Sequence, residues 1–121
     1  MNNNSYIPGM MKALLTAIDD EDWDSLSKLL SDDSTYEVSG FPRFDGKQEV
    51  MDYYENIRPI KSGTHYITSI LTDADKGVCS GRFSGEKKDG EKIELFFVDE
   101  INFENFKIKK RRVYLCQPES K

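Results

Sequence analysis

Net positive charge, histidine and long apolar runs are all lacking or scarce in this chain, and each lack removes a class of function. The 121 residues carry 17 Lys+Arg against 22 Asp+Glu, a formal charge of -5. A field of that sign repels phosphate backbones, so nucleic acid is not expected as a partner. No run approaches the roughly 20 apolar residues of a membrane span, so no membrane partner is expected either. Residues 1–8 lack both the basic segment and the apolar core of a signal peptide, and the chain reads as cytoplasmic. Cys79 and Cys116 stand apart with no CxxC spacing, the pattern of two reduced thiols in strands and not of a disulfide. His65 is the sole histidine, with no HxxxH and no Cys/His cluster, and Asp73 with Asp75 suits a hairpin turn better than a calcium loop. No metal and no cofactor are expected. Repeats, low-complexity tracts and linkers are also missing, which leaves one domain of 14.0 kDa, large enough to bury roughly two-thirds of its unfolded surface.

What is present has a clear order. Residues 1–9, polar and ending in Pro8-Gly9, read as a flexible tail, residues 10–117 as the domain, and residues 118–121 as a second tail. Met10, Met11, Leu14, Leu15 and Ile18 recur at steps of three and four, the apolar stripe of a helix packed on one side. Asp19-Asp20-Glu21-Asp22 then interrupts, and acids suit the first turn of a second helix whose buried face is Trp23, Leu26, Leu29 and Leu30. Residues 31–34 are turn chemistry before the β-prone Thr35-Tyr36-Glu37-Val38. Asp45, three residues before Gln48, opens a third helix with Val50, Tyr54 and Ile57 on one face, and Pro59 stops it. From Thr64 onward β-branched and aromatic residues dominate, with turns at residues 73–77, 88–90 and 104–105, which makes a meander of strands. In the third of these, Ile93, Leu95, Phe97, Asp99, Ile101 and Phe103 share a face that is apolar apart from one carboxylate.

This order, with Leu29-Leu30-Ser31-Asp32-Asp33-Ser34-Thr35-Tyr36-Glu37-Val38, then Phe44-Asp45-Gly46 and a helix ending at Arg58-Pro59, resembles the NTF2-like superfamily, with its ketosteroid isomerases, limonene epoxide hydrolases and SnoaL-type polyketide cyclases. The resemblance implies an α+β cone: three N-terminal helices over the concave side of a curved, mostly antiparallel sheet, around a pocket. It also implies a homodimer through the sheet, for which Phe96 and Val98, opposite in parity to Asp99, are suited. The catalytic sets of the family are incomplete here. Laid on the isomerase pattern, the tyrosine falls on Leu14, the base on Val38, and only the third position, Asp99, keeps its acid. On the epoxide hydrolase pattern the arginine falls on Arg82, but the two acids fall on Ser84 and Val113. Of the acid and histidine of the cyclases, Asp99 and His65 are the nearest match.

Asp99 is the leading candidate for chemistry, because a desolvated carboxyl on an apolar face is a usable acid or hydrogen-bond donor, against the alternative of a structural partner. His65, whose side chain type changes charge near neutrality, is the second, against the alternative of packing or surface. Arg82 and Arg112 are read as either pocket anchors or cross-strand ion pairs with Glu94, Asp99 or Glu100. The run Lys107-Ile108-Lys109-Lys110-Arg111-Arg112 divides between two strand faces. A ligand-binding lining is assigned to Leu14, Tyr36, Val38, Phe41, Tyr54, Phe83, Phe97, Arg112 and Tyr114, since apolar ligand sites are walled by such side chains with few polar groups. The leading expectation is a pocket that binds a small, largely apolar metabolite. The alternatives are an isomerase, cyclase or dehydratase using Asp99 with His65, and a protein-interaction module using the outer sheet face.

Overall fold

In the computed structural model, which describes residues 5–118, α1 (Ile7–Asp19) begins earlier than the apolar stripe alone predicts. Pro8 sits in the first turn, where its fixed φ fits and its missing N–H is not needed, and Ile7, four residues before Met11, extends the stripe and is fully buried. Residues 7–9 therefore belong to the helix and not to a tail; residues 1–4 and 119–121 of the expected tails lie outside the described residues. Helix α1 lies close on the sheet because Gly77 has no side chain: a Cβ there would come within 2.6 Å of the Met11 sulfur and 2.7 Å of Ile7 Cγ2.

Asp22 caps α2 (Trp23–Leu29), its carboxylate accepting from the Ser25 N–H at 3.2 Å and from the Ser25 hydroxyl at 2.6 Å. Leu30, expected on the helix, is instead the buried first residue of β1 (Leu30–Val38), and residues 31–34, expected as a turn, are an irregular part of that strand. After β2 (Phe44–Asp45), α3 (Lys47–Asp52) has Gly46 and not Asp45 at its N-cap; Glu49 and not Gln48 reaches back, accepting from the Asp45 N–H at 2.9 Å. A turn of π-helix, Tyr53–Ile57, follows and is closed by the Arg58 N–H donating to the Tyr53 carbonyl at 2.8 Å before Pro59. The meander is β3 (Ile60–Asp73), β4 (Lys76–Lys87), β5 (Lys92–Glu104) and β6 (Lys107–Cys116), its hairpins falling where the turn signals lie.

The sheet order is β2-β1-β6-β5-β4-β3, antiparallel except where β1 runs parallel to β6. Register shifts on β3, between β5 and β6, and within β1 bend the strands, and the helices pack on the concave side. This is the α+β cone, and the core is shared between α1, α2 and the inner face of β4–β6.

The shift between β5 and β6 decides the site. Asn102 faces Lys110 but Phe103 faces Ile108, so Lys109 is an extra residue on β6. Strict alternation from Ile108 would send Arg112 and Tyr114 inward. With Lys109 bulged out, Arg111 and Val113 turn inward instead, while Arg112 and Tyr114 face outward.

Candidate functional site

Between the helices and the concave face lies a cavity of about 690 Å³. Ile18 of α1, Tyr36 and Val38 of β1, Tyr53 and Tyr54 of the π turn, Phe83 of β4 and Ile93, Leu95 and Phe97 of β5 wall it with apolar surface. Phe41, Pro42 and Arg43, from the loop after β1, stand at its rim, with Phe41 largely exposed. Tyr36 is the hub of an aromatic stack, 5.5 Å from Tyr54 and 6.1 Å from Phe44 by ring centroids.

Two hydrogen-bonded polar clusters are set into this wall. The first is a buried ion pair. Asp99 of β5 is 1 % exposed and accepts from Arg111 Nε at 3.1 and 3.0 Å, one to each oxygen, while Nη2 reaches Oδ2 at 2.9 Å. Arg111 Nη1 donates to the Tyr54 hydroxyl at 2.6 Å, and the guanidinium lies 4.7 Å from the centroid of the Tyr36 ring. Burial works against the charge on Arg111, but Asp99, Tyr54 and Tyr36 outweigh it and hold the guanidinium more firmly protonated than an ordinary arginine. Burial also drives the Tyr36 phenol well above the usual tyrosine range, helped by Tyr54 and opposed by Arg111. Asp99, weighed from the sequence between chemistry and a structural partner, thus has a cationic partner, and its oxygens are engaged in holding that partner still.

The second is a dyad. Asp19, the last residue of α1, accepts from the His65 backbone N–H at 2.8 Å and contacts His65 Nδ1 at 2.6 Å. The same carboxylate grips backbone and ring, so the ring's orientation is fixed twice. With Nδ1 donating to the carboxylate, Nε2 carries the lone pair, and among the described residues it has no hydrogen-bond partner. The imidazole packs on Phe83 and Phe97, at 4.7 and 5.2 Å between centroids, and lines the cavity.

Of the residues assigned from sequence, Asp99, His65, Tyr36, Val38, Phe41, Tyr54, Phe83 and Phe97 all line the cavity. Leu14 does not: it is fully buried in the core under α1. Nor do Arg112 and Tyr114, because of the Lys109 bulge; Arg112 pairs on the outer face with Glu37 at 3.2 Å and Glu100 at 4.0 Å. Arg82 is also outside, 3.9 Å from Glu94 and stacked 5.1 Å from Tyr66. Three residues of the site were missed: Arg111 and Arg58, which line the cavity, and Asp19, which holds His65. Arg111 had a signal, since Ile108 and Val113, both aliphatic and five positions apart, share a strand face only if a bulge lies between them. Asp19 was read as the herald of a second helix, and its partner 46 positions away is joined to it only by the fold. Arg58 was read as a helix terminus and nothing more. Among the described residues no group of three or more His, Cys, Asp or Glu is placed to hold a metal, and no helix is long and apolar enough to cross a membrane.

Helices on the concave side of a bulged sheet, enclosing a mostly apolar cavity with isolated ionisable groups, define an NTF2-like protein. The chain matches the model of the SnoaL-like domain over residues 11–111 and belongs to that family. Among solved structures it is similar to an LEH-like epoxide hydrolase of M. tuberculosis, at 20 % identity, 88 % of this chain, 80 % of that one and a TM-score of 0.79. An NTF2-like protein of unknown function from Burkholderia pseudomallei K96243 aligns at 16 % identity, 96 % and 92 % coverage and a TM-score of 0.83. A protein with a ketosteroid isomerase-like fold from Catenulispora acidiphila DSM 44928, in complex with trimethylamine, aligns at 15 % identity, 88 % and 85 % coverage and a TM-score of 0.79. At such identities the likeness speaks for the fold alone. No curated protein matches the chain.

Proposed function

We propose that the cavity binds a small, largely apolar molecule by one polar end and that His65 moves a proton on it. The observation that carries this reading is the Asp19–His65 contact of 2.6 Å at the cavity wall, which orients an imidazole and leaves one ring nitrogen without a partner. In this reading Asp99 is not the proton carrier. It positions Arg111, which has N–H groups left after serving Asp99 and Tyr54 and offers them, with the Tyr36 hydroxyl, to a carbonyl or hydroxyl oxygen. The chemistry is of the isomerase, cyclase or dehydratase kind: a proton removed beside a polarised oxygen and returned elsewhere or lost with a leaving group.

Two further features belong to the same proposal. A homodimer through the outer sheet face fits the exposed apolar side chains there, Phe96 at 51 % and Val98 at 39 %. A cytoplasmic location fits the reduced thiols expected of Cys79 and Cys116. The test is native mass spectrometry of protein purified from its own host, followed by turnover of the released molecule. His65→Ala is expected to keep the bound molecule and lose turnover, by about a hundredfold or more. Full turnover in His65→Ala, or binding unaffected when Leu95→Trp fills the cavity, overturns the proposal.

A further inference from the structure

The charges set in the cavity wall at the buried pair and the dyad are matched to partners, but Arg58 is not. Arg111 is held by Asp99, His65 by Asp19, and Arg43 at the rim by Asp45 at 2.7 Å. Arg58 also lines the cavity, yet none of the ion pairs among the described residues includes it. Its guanidinium is not loose. It sits 5.7 Å from the centroid of Tyr54 and 5.9 Å from that of Phe83, two rings of the cavity wall, and is half-buried against them. The π turn explains how: Tyr54 is its second residue and Arg58, four positions on, its C-terminal cap, so one widened turn aims the tyrosine at Arg111 and sets the arginine in the cavity wall beside it. Among the described residues Lys87 lines the same cavity without an ion pair, and Glu91 is the only carboxylate of the lining besides Asp99. The mouth therefore carries a surplus of positive charge on a chain whose total is -5.

We infer that the molecule taken by this cavity is a monoanion, a small apolar carboxylate, and that Arg58 binds its carboxylate at the mouth while the apolar body lies along Phe83 and Leu95. A guanidinium on aromatic faces keeps its in-plane donors free, and its planar fork matches a carboxylate bidentately. A dianionic phosphate ester fits less well, because the surplus at the mouth is small and the chain's overall charge opposes it. The inference rests on the proposed ligand role of the cavity and adds the charge of the ligand to it. It also assigns directions: the anionic end outward at Arg58, the reacting end inward toward His65 and the Arg111–Tyr54 group.

The experiment uses the full chain and two probes of one shape, 2-naphthoate and 2-naphthamide, with calorimetric titration at low salt. The wild type is expected to bind naphthoate at least tenfold more tightly than naphthamide, and added NaCl to narrow the gap. Arg58→Gln is expected to weaken naphthoate to the level of naphthamide and leave naphthamide unchanged, while Arg58→Lys keeps part of the preference; thermal melts confirm that both variants fold. Leu95→Trp, which fills the cavity, is expected to abolish both. Equal affinities in the wild type, unmoved by Arg58→Gln but lost in Leu95→Trp, overturn the anionic ligand while the cavity reading stands. Affinities unmoved by Leu95→Trp, or no binding of either probe, overturn both.

Discussion

Arg111 and Arg112 are adjacent on β6 and chemically identical, yet they live in different solvents. Arg111 is 7 % exposed, bonded through three nitrogens to Asp99 and Tyr54, and pressed against Tyr36. Arg112 lies half-exposed on the outer face, paired with Glu37 at 3.2 Å and with Glu100 only at 4.0 Å. Inside, each charge was stripped of water and depends on its partner; outside, water and salt solvate both charges whether or not they meet. The contrast teaches that identity of side chain says little about its work. A single extra residue, Lys109, decided which arginine became part of the cavity and which became surface.

The severest way to break the comparison is to move that boundary. Inserting an alanine after Lys110 would turn Arg111 and Val113 outward and Arg112 and Tyr114 inward, breaking the Asp99–Arg111–Tyr54 arrangement and forcing two bulky polar side chains into the places of Val113 and Leu115; no cooperative unfolding transition is expected. Deleting Lys109 itself restores regular alternation with Arg111 still inward, and a folded protein with native-like circular dichroism is expected. If both variants fold alike, the bulge does not set the faces.

Next in size is the ion pair. Arg111→Met leaves the Asp99 carboxylate buried without a cation and is expected to lower unfolding free energy by about 3–5 kcal/mol in a urea titration. Asp99→Leu combined with Arg111→Met removes both charges and should recover most of that loss, because the attraction within a buried pair is largely offset by its desolvation. Arg112→Ala, by contrast, should leave the urea midpoint indistinguishable from wild type. Equal losses from Arg111→Met and Arg112→Ala would erase the distinction between the faces.

The same strand shows how far the sequence can be read. Helices and hairpins were legible because their signals are local: the stripe Met11, Leu14, Leu15 and Ile18, the acids before Trp23, the turns near residues 73–77, 88–90 and 104–105. The inner face of β5 was legible too, since Ile93 to Phe103 alternate without interruption and Asp99 falls among them. The failures have one physical origin each. Parity on β6 was lost at a bulge, whose trace in the sequence is only the five-residue step from Ile108 to Val113. The start of α1 was lost because Pro8 punctuates a loop and opens a helix equally well. Asp19 was lost because a helix end meets a strand only in three dimensions, and no periodicity encodes that meeting. The gross frame of the site is thus written in local patterns, while the pairing of its charges is tertiary.

The gentlest test compares two thiols. Cys79 lies opposite Asp99 on the inner face and is 1 % exposed, whereas Cys116 at the end of β6 is exposed. Burial, reinforced by Asp99 and opposed by Arg111, pushes the Cys79 thiol up to about 12. Because the folded protein holds that proton more tightly than the unfolded chain, the contribution to stability is whole below the ordinary thiol value and is lost as pH climbs from there toward 12. At pH 9.5 the loss from this one group is on the order of 1 kcal/mol. Tyr36, raised well above the tyrosine range by its own burial, adds a second loss that begins higher. A pH series of urea midpoints is therefore expected to decline above about pH 9, with an earlier onset in the wild type than in Cys79→Ala. Under native conditions at pH 8 a thiol reagent should modify Cys116 at once and Cys79 only as fast as the domain opens. Simultaneous labelling would mean that water reaches the Asp99 side of the sheet, and the contrast between the two arginines would then fail at its root, since it depends on that interior being dry.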